Sequence, residues 1–253
     1  MSKLTFLLIA FAGFARPLRA QQAIFLSQGK IEYQRSINVY AQMEQANTNG
    51  EDDQWIELRK KMSSHFKNAY FDLLFTGDKC LYRPGRESDD REMFNFWQAP
   101  AQDNVVWSDL QNDKAVSVKN VFEQSFLVQD SLRQIRWKIT DETRNIAGFN
   151  CRRANAIIMD SIYVVAFYTD EILTTGGPES FSGLPGMILG VSLPHQHISW
   201  FATKVEATPI QQTQLLPPAK GKKVNNAGLQ DAVKPSLKDW GKTGHQYLET
   251  ILL

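Results

Sequence analysis

Gly176-Gly177-Pro178-Glu179-Ser180-Phe181-Ser182-Gly183-Leu184-Pro185-Gly186-Met187-Ile188-Leu189-Gly190-Val191 holds five of the fifteen glycines of a 253-residue chain, so its first two thirds must be turns. Two glycines before Pro178 make a sharp corner, because a residue preceding proline is pushed towards extended geometry and glycine adopts conformations closed to other residues. Leu184-Pro185-Gly186-Met187 fits a type II turn: proline fixes φ near about −65° at the second position and glycine supplies a positive φ at the third. Met187-Ile188-Leu189 then run without polar alternation, which predicts a strand or bend covered on both faces and a turn tucked against the core.

Outward from this stretch the chain reads as strands. Residues 29 to 43 alternate, with Ile31, Tyr33, Ile37 and Val39 apolar and Lys30, Glu32, Gln34, Ser36 and Asn38 polar, predicting one long half-buried strand. Residues 47 to 53 are polar and cap a helix over 54–66, where Trp55, Leu58, Met62 and Phe66 recur near helical spacing. Residues 69–82 return to strand chemistry, bent at Gly77-Asp78, and a charged loop precedes the aromatics Phe94, Phe96 and Trp97. Strands follow at 105–110, 115–118, 122–129 and 132–140, the last two joined in a tight hairpin at Asp130-Ser131. A second hairpin joins 151–159 to 162–168 around Asp160-Ser161, and 193–206 is a further strand. Nine or ten strands with one internal helix is an antiparallel, mainly β pattern.

The flanks differ in composition. Met1 to Ala20 carries an apolar run from Leu4 to Ala15 and an Arg-Pro-Leu-Arg-Ala exit, the pattern of a cleaved export signal. The run is short for a membrane span, and nothing later approaches the roughly 20 apolar residues a span needs, so no membrane span is expected in the mature chain. No cysteine follows the cleavage point, which argues against a lipid anchor. Loss of Lys3, Arg16 and Arg19, with no acid in that segment, turns a formal charge of +1 into −2, a balance that gives no pull towards nucleic acid. At the other end, Pro217 to Lys223 is a basic linker, and Val233, Leu237, Trp240, Tyr247 and Ile251 form an apolar stripe on a helix starting near Pro235. With Gly241 and Gly244 inside it, that helix needs a surface, and the aromatic group near Phe181 and Trp200 is the expected one. The organisation is therefore a signal at 1–20, a β domain at 21–210, and a linker with a C-terminal amphipathic helix at 211–253.

Gly183-Leu184-Pro185-Gly186-Met187-Ile188 resembles the signature hexapeptide of the GLPGLI family of Bacteroidetes cell-envelope proteins, with Met where the name has Leu. Trp137-Lys138-Ile139, Gly148-Phe149-Asn150-Cys151-Arg152-Arg153-Ala154, Ala166-Phe167-Tyr168-Thr169 and Gly176-Gly177-Pro178-Glu179 extend the likeness over roughly residues 130 to 206, and Gly29-Lys30-Ile31-Glu32-Tyr33 resembles the opening strand. The family brings no activity with it. It implies export to the periplasm or the outer-membrane periphery, and an accessory role beside an outer-membrane receptor or another envelope protein.

The chemistry-bearing patterns are few. Ser180 and Ser182 lack the flanking glycines of a hydrolase nucleophile, and the glycines are not spaced as a phosphate loop. His195 and His197, two apart, would share a strand face and reach one metal if carboxylates or a third histidine joined them; solvated residues at a strand entry are the competing reading. Asp170-Glu171 and Glu179 lie near the central turn, where paired carboxylates suit acid/base work, although loop and cap roles are commoner. Cys80 and Cys151 are an even pair in an oxidising compartment and are expected to be bridged, closing a loop of 71 residues worth roughly 4 kcal/mol; two separate buried thiols are the alternative. Trp137, Phe149, Phe167, Tyr168, Phe181, Trp200 and Phe201 either fill a β core or line the concave side of an incompletely closed sheet and receive an apolar ligand.

The expected fold is a strongly curved antiparallel sheet or half-barrel with a helix across its opening, an arrangement similar to the periplasmic lipoprotein carriers. Gly177, Pro178, Phe181, Gly183, Leu184, Pro185, Gly186 and Trp200 are the candidate ligand-binding or core-turn residues. The functional expectation is a non-enzymatic envelope protein that binds an apolar ligand or a partner protein. The alternative is a metal-binding protein or metal-dependent enzyme built on His195 and His197.

Overall fold

Strand β1, Gln28–Asn38, sits in the middle of the sheet and explains its layout. The alternation read from the sequence is real: Ile31, Tyr33 and Ile37 face the interior, and Arg35 shares that parity and is buried with them. The alternation stops at Asn38, whose Oδ1 accepts from Ala41 N at 3.0 Å and caps helix α1, Val39–Ala46. The strand is thus shorter than expected, because a capping side chain diverts the chain into a helix. The computed structural model describes residues 25–47, 53–88 and 101–253. The expected export signal, the aromatic segment at 94–97 and most of the polar stretch before the second helix lie outside these residues.

On one side of β1 lies a meander of β2 (Phe66–Thr76), β3 (Lys79–Pro84), β4 (Val105–Asp109), β5 (Lys114–Val121) and β6 (Gln124–Asp130). On the other side lies a second meander of β7 (Lys138–Ile146), β8 (Phe149–Ile158), β9 (Ile162–Thr169), β10 (Met187–Leu193) and β11 (Ile198–Glu206), whose last strand pairs antiparallel with β1. A short β12, Lys222–Val224, pairs parallel with β6 and completes a single twelve-stranded, curved, open sheet of half-barrel form. The mainly β class is as expected.

Several local expectations are revised. Asp130-Ser131 does not make a hairpin: β6 and β7 lie at opposite edges of the sheet. The tight turn falls one strand earlier, where Phe122 takes φ of +54° between β5 and β6. Residues 131–137 instead cross to the far edge, pinned on the way by Arg133 Nε to Ser180 Oγ at 3.1 Å and Trp137 Nε1 to Ser182 O at 2.9 Å. The hairpin at Asp160-Ser161 does form, through the three residues Met159 to Ser161, with Met159 and Asp160 both at positive φ and Ser161 N donating to Ile158 O at 3.3 Å. Helix α2, Asp53–Met62, turns Trp55, Leu58 and Met62 to solvent and buries Ile56. The spacing picked the wrong face.

The C-terminal stripe divides into two helices. Asn225 caps α3, Asn226–Leu237, through Gly228 N at 2.8 Å, so Pro235 lies inside this helix and not at its start. A short 3₁₀ turn, Lys238–Trp240, and Gly241 then break the chain before α4, Gly241–Leu252. Leu229, Val233, Leu237 and Ile251 pack with Val121, Phe126 and Val128 in a cluster of their own at the β5–β6 side. The body of the tail therefore docks away from Phe181 and Trp200. Only its end, Leu253, joins the main core.

Candidate functional site

The glycine-rich stretch forms an irregular, mostly buried loop over 170–186 before β10 begins. Gly186 N donates to Leu184 O at 2.8 Å, closing a three-residue turn on Pro185 in place of the type II turn expected from the sequence. Glycine is still required there, since φ is +144° and an added Cβ would stand 2.0 Å from Thr169 O. As expected, β10 is covered on both faces, and Tyr33 Oη donates to Ile188 O at 2.6 Å beneath it. Glu179 adopts φ of +51°, a left-handed backbone unusual for glutamate, and its side chain is buried within the half-barrel.

That carboxylate is the centre of a polar group set in an otherwise apolar interior. Asn104 Nδ2 donates to Glu179 Oε2 at 3.0 Å, and Lys119 and Arg35 act on the same carboxylate electrostatically. Burial raises the Glu179 carboxyl above its usual range, against the opposing pull of Lys119 and Asn104. Burial likewise lowers Lys119 to about 8, with Glu179 pulling it back up and Arg133 pushing it further down. Arg35 donates from Nη1 to Gln102 O at 2.6 Å and stacks 5.0 Å from the Phe71 ring centre.

The end of α4 meets these groups. Lys119 Nζ donates to Ile251 O at 2.8 Å, Arg133 Nη2 to Leu252 O, and Ser180 Oγ to Leu253 O. Cations and a hydroxyl thereby satisfy carbonyls that a helix C-terminus leaves without internal partners. Between the α4 end and the sheet remains a crevice lined by Arg35, Ile37, Asn104, Glu179, Trp200 and Leu253, among others, with room for about one water molecule. Arg35 Nε, Gln102 Oε1, Asn104 Oδ1 and Trp200 Nε1 line it without a hydrogen-bond partner among the described residues, as does Tyr82 Oη nearby. Tyr82 lies against Glu179 and Trp200 without a well-formed hydrogen bond to either.

Of the residues singled out from the sequence, Trp200 lines this crevice, and Phe181 packs on it with ring centres 6.1 Å apart. Gly177, Pro178, Gly183, Leu184, Pro185 and Gly186 build the loop and do not line the crevice. The expected disulfide is corrected: Cys80 and Cys151 are both free. They sit on β3 and β8, far apart in strand order; Cys80 Sγ packs against Gly176, and Cys151 Sγ points to Phe149 O at 3.6 Å. Burial pushes both thiols up to about 12, so they are inert core groups.

His195 and His197 do not share a strand face. Both lie in the β10–β11 turn, where His197 has φ of +56°, and the two-residue period does not apply. Among the described residues no group of three or more His, Cys, Asp and Glu side chains is placed to hold a metal. Asp170 is exposed and Glu171 half-buried in the turn after β9.

Arg35, Lys119 and Arg133 escaped the sequence reading. The signal for the first two was present as parity: Arg35 falls in step with Ile31, Tyr33 and Ile37, and Lys119 with Ser117 and Val121. A charge on the inward parity of a strand is a buried charge. Arg133 gave no such signal, because its connection has no period.

Residues 157–190 match a family model described as a protein of unknown function (Porph_ging), named for Porphyromonas gingivalis and pointing to a Bacteroidetes-type family. The matched segment contains β9, the glycine-rich loop and the first half of β10. No curated protein matches the chain. Among solved structures, PNGF-II in a C2 crystal form is similar at a TM-score of 0.51 and 15% identity, over 81% of this chain and 32% of that one. A P21 form of PNGF-II gives a TM-score of 0.49, again at 15% identity, over 78% and 32%. The chain thus spans about a third of that protein's length, and the likeness is one of fold.

Proposed function

We propose that this chain is an exported, non-enzymatic protein of the cell envelope, of GLPGLI type, that binds an apolar or amphiphilic ligand in the concavity of its half-barrel and serves transport at the outer membrane. One observation carries the binding reading: the segment that closes the crevice joins the main core by a single residue. Helices α3 and α4 have their own apolar cluster on Val121, Phe126 and Val128, and only Leu253 enters the main core. A sheet that used its helices simply to complete its core would bury a whole helix face there. The similarity of residues 157–190 to a Bacteroidetes-type family and the signal-like first twenty residues support the envelope location.

The test is to loosen the cover in the full-length chain with Leu229→Asp and Val233→Asp together. Binding of an environment-sensitive apolar dye should rise several-fold while the β-sheet circular dichroism persists. Unchanged dye binding with the helices displaced would refute the reading. Cell fractionation tests the location: export predicts the protein in the periplasmic or outer-membrane fraction.

A further inference from the structure

We infer that the ligand of this concavity is a single-chain amphiphile with a carboxylate head, and that the end of α4 is a built-in substitute for it. The inference rests on the reading of the concavity as a binding site and adds the chemistry of the occupant. The present occupant is itself amphiphilic: the aliphatic side chain of Leu253 is buried beside Trp200, and the backbone oxygens of Ile251, Leu252 and Leu253 are held by Lys119, Arg133 and Ser180. An acyl chain ending in a carboxylate presents the same two materials in the same order.

The charge balance favours the exchange. Arg35 and Lys119 act on the buried Glu179 carboxylate, and Arg133 lies near Lys119, so three cations gather where the oxygens of the α4 end are held. A ligand carboxylate would meet the same cations, and hydrogen bonds from ionised donors to it are about twice as strong as those between neutral groups. The crevice is also lined by two donors without a hydrogen-bond partner among the described residues, Arg35 Nε and Trp200 Nε1, each on a residue more than nine-tenths buried, beside the acceptors Gln102 Oε1 and Asn104 Oδ1. Space comes from withdrawal of Leu253, since the crevice beside it now has room for about one water molecule.

Calorimetric titration of the full chain with decanoate, decanol and decyltrimethylammonium, each below its micellar concentration, tests the inference alongside hydrogen exchange of residues 241–253. Decanoate should bind roughly tenfold or more tighter than decanol, the cationic chain should not bind, and decanoate should speed exchange in 241–253. Arg133→Gln should bring the decanoate-to-decanol ratio to within about threefold of unity, and Lys119→Gln serves if that variant fails to fold. Equal affinity for decanoate and decanol in the native chain would overturn carboxylate recognition and leave apolar binding standing. Binding of decanoate with exchange in 241–253 unchanged would overturn the substitution by α4. Binding of neither compound would overturn both this inference and the proposed function.

Discussion

Where β10 runs beneath the glycine-rich loop, the interior is dry: Met187, Ile188 and Leu189 are fully buried among Tyr33, Leu184 and Ile172, and the polar group between them, Tyr33 Oη, has its acceptor at 2.6 Å. Where the end of α4 enters the same concavity, buried Arg35, Lys119 and Glu179 stand together, and polar atoms of Arg35, Tyr82, Gln102, Asn104 and Trp200 lack partners among the described residues. Burying unpartnered polar groups opposes folding, so the second region gives up stability that the first supplies. A chain that keeps such a region keeps it for something other than folding.

The comparison breaks most easily at Gly186. Alanine there would adopt φ of +144° with its Cβ 2.0 Å from Thr169 O, so the loop or β9 must move. Backbone strain and overpacking act together, and the loss should reach about 4 kcal/mol or more, enough to unfold a domain of ordinary stability. Urea denaturation of Gly186→Ala measures it.

The polar region should declare itself through pH. Lys119 is held at about 8 by burial, below an ordinary value of 10.5, so from about pH 8 the folded chain releases a proton that the unfolded chain retains. Folding stability contributed through this lysine therefore rises with pH between these values, by at most about 3 kcal/mol. Cys80 and Cys151 act in the opposite sense above pH 9, since their folded values near 12 keep protons that unfolded thiols lose. The window from pH 8 to 9 is accordingly the clearest, with Glu179 and Arg133 the charges facing the lysine. Subtracting the stability curve of Lys119→Met from that of the native chain should isolate the rise; a flat difference across the window would show the lysine to be solvated.

In the dry region, Tyr33→Phe removes one hydroxyl and leaves Ile188 O without it. The expected loss is about 2 kcal/mol by urea denaturation, with no change in the pH dependence just described.

The sequence revealed these two regions unequally. The dry one was legible because its signals are local: strand alternation in β1, an uninterrupted apolar run at Met187 to Leu189, and glycines beside prolines. The polar one is assembled from β1, β3, β5, β11, the 131–137 connection, the glycine-rich loop and α4, and only the curvature of the sheet brings them together. Individual buried charges were detectable by parity at Arg35 and Lys119, yet nothing local says that they converge on Glu179. The same limit explains the misplaced hairpin at Asp130-Ser131. Its turn chemistry was sound, but the free side of β6 was claimed by β12, nearly a hundred residues later in the chain.

Gly183→Ala sharpens the contrast within the loop itself. Gly183 and Gly186 both have positive φ, at +88° and +144°, and both belong to the hexapeptide Gly183 to Ile188. Their surroundings differ: a Cβ on Gly183 would meet only Trp137 Nε1, at an ordinary contact distance of 3.9 Å, and the residue is exposed. Substitution there should bring the backbone penalty alone, about 1 kcal/mol, without the collision that makes Gly186 intolerant. Comparable urea midpoints for Gly183→Ala and the native chain, beside a large loss in Gly186→Ala, would assign the dry region's sensitivity to the fit of the loop against β9 and not to positive φ as such. A loss at Gly183 as large as that at Gly186 would mean that backbone conformation dominates the whole loop, and that close packing against Thr169 is secondary.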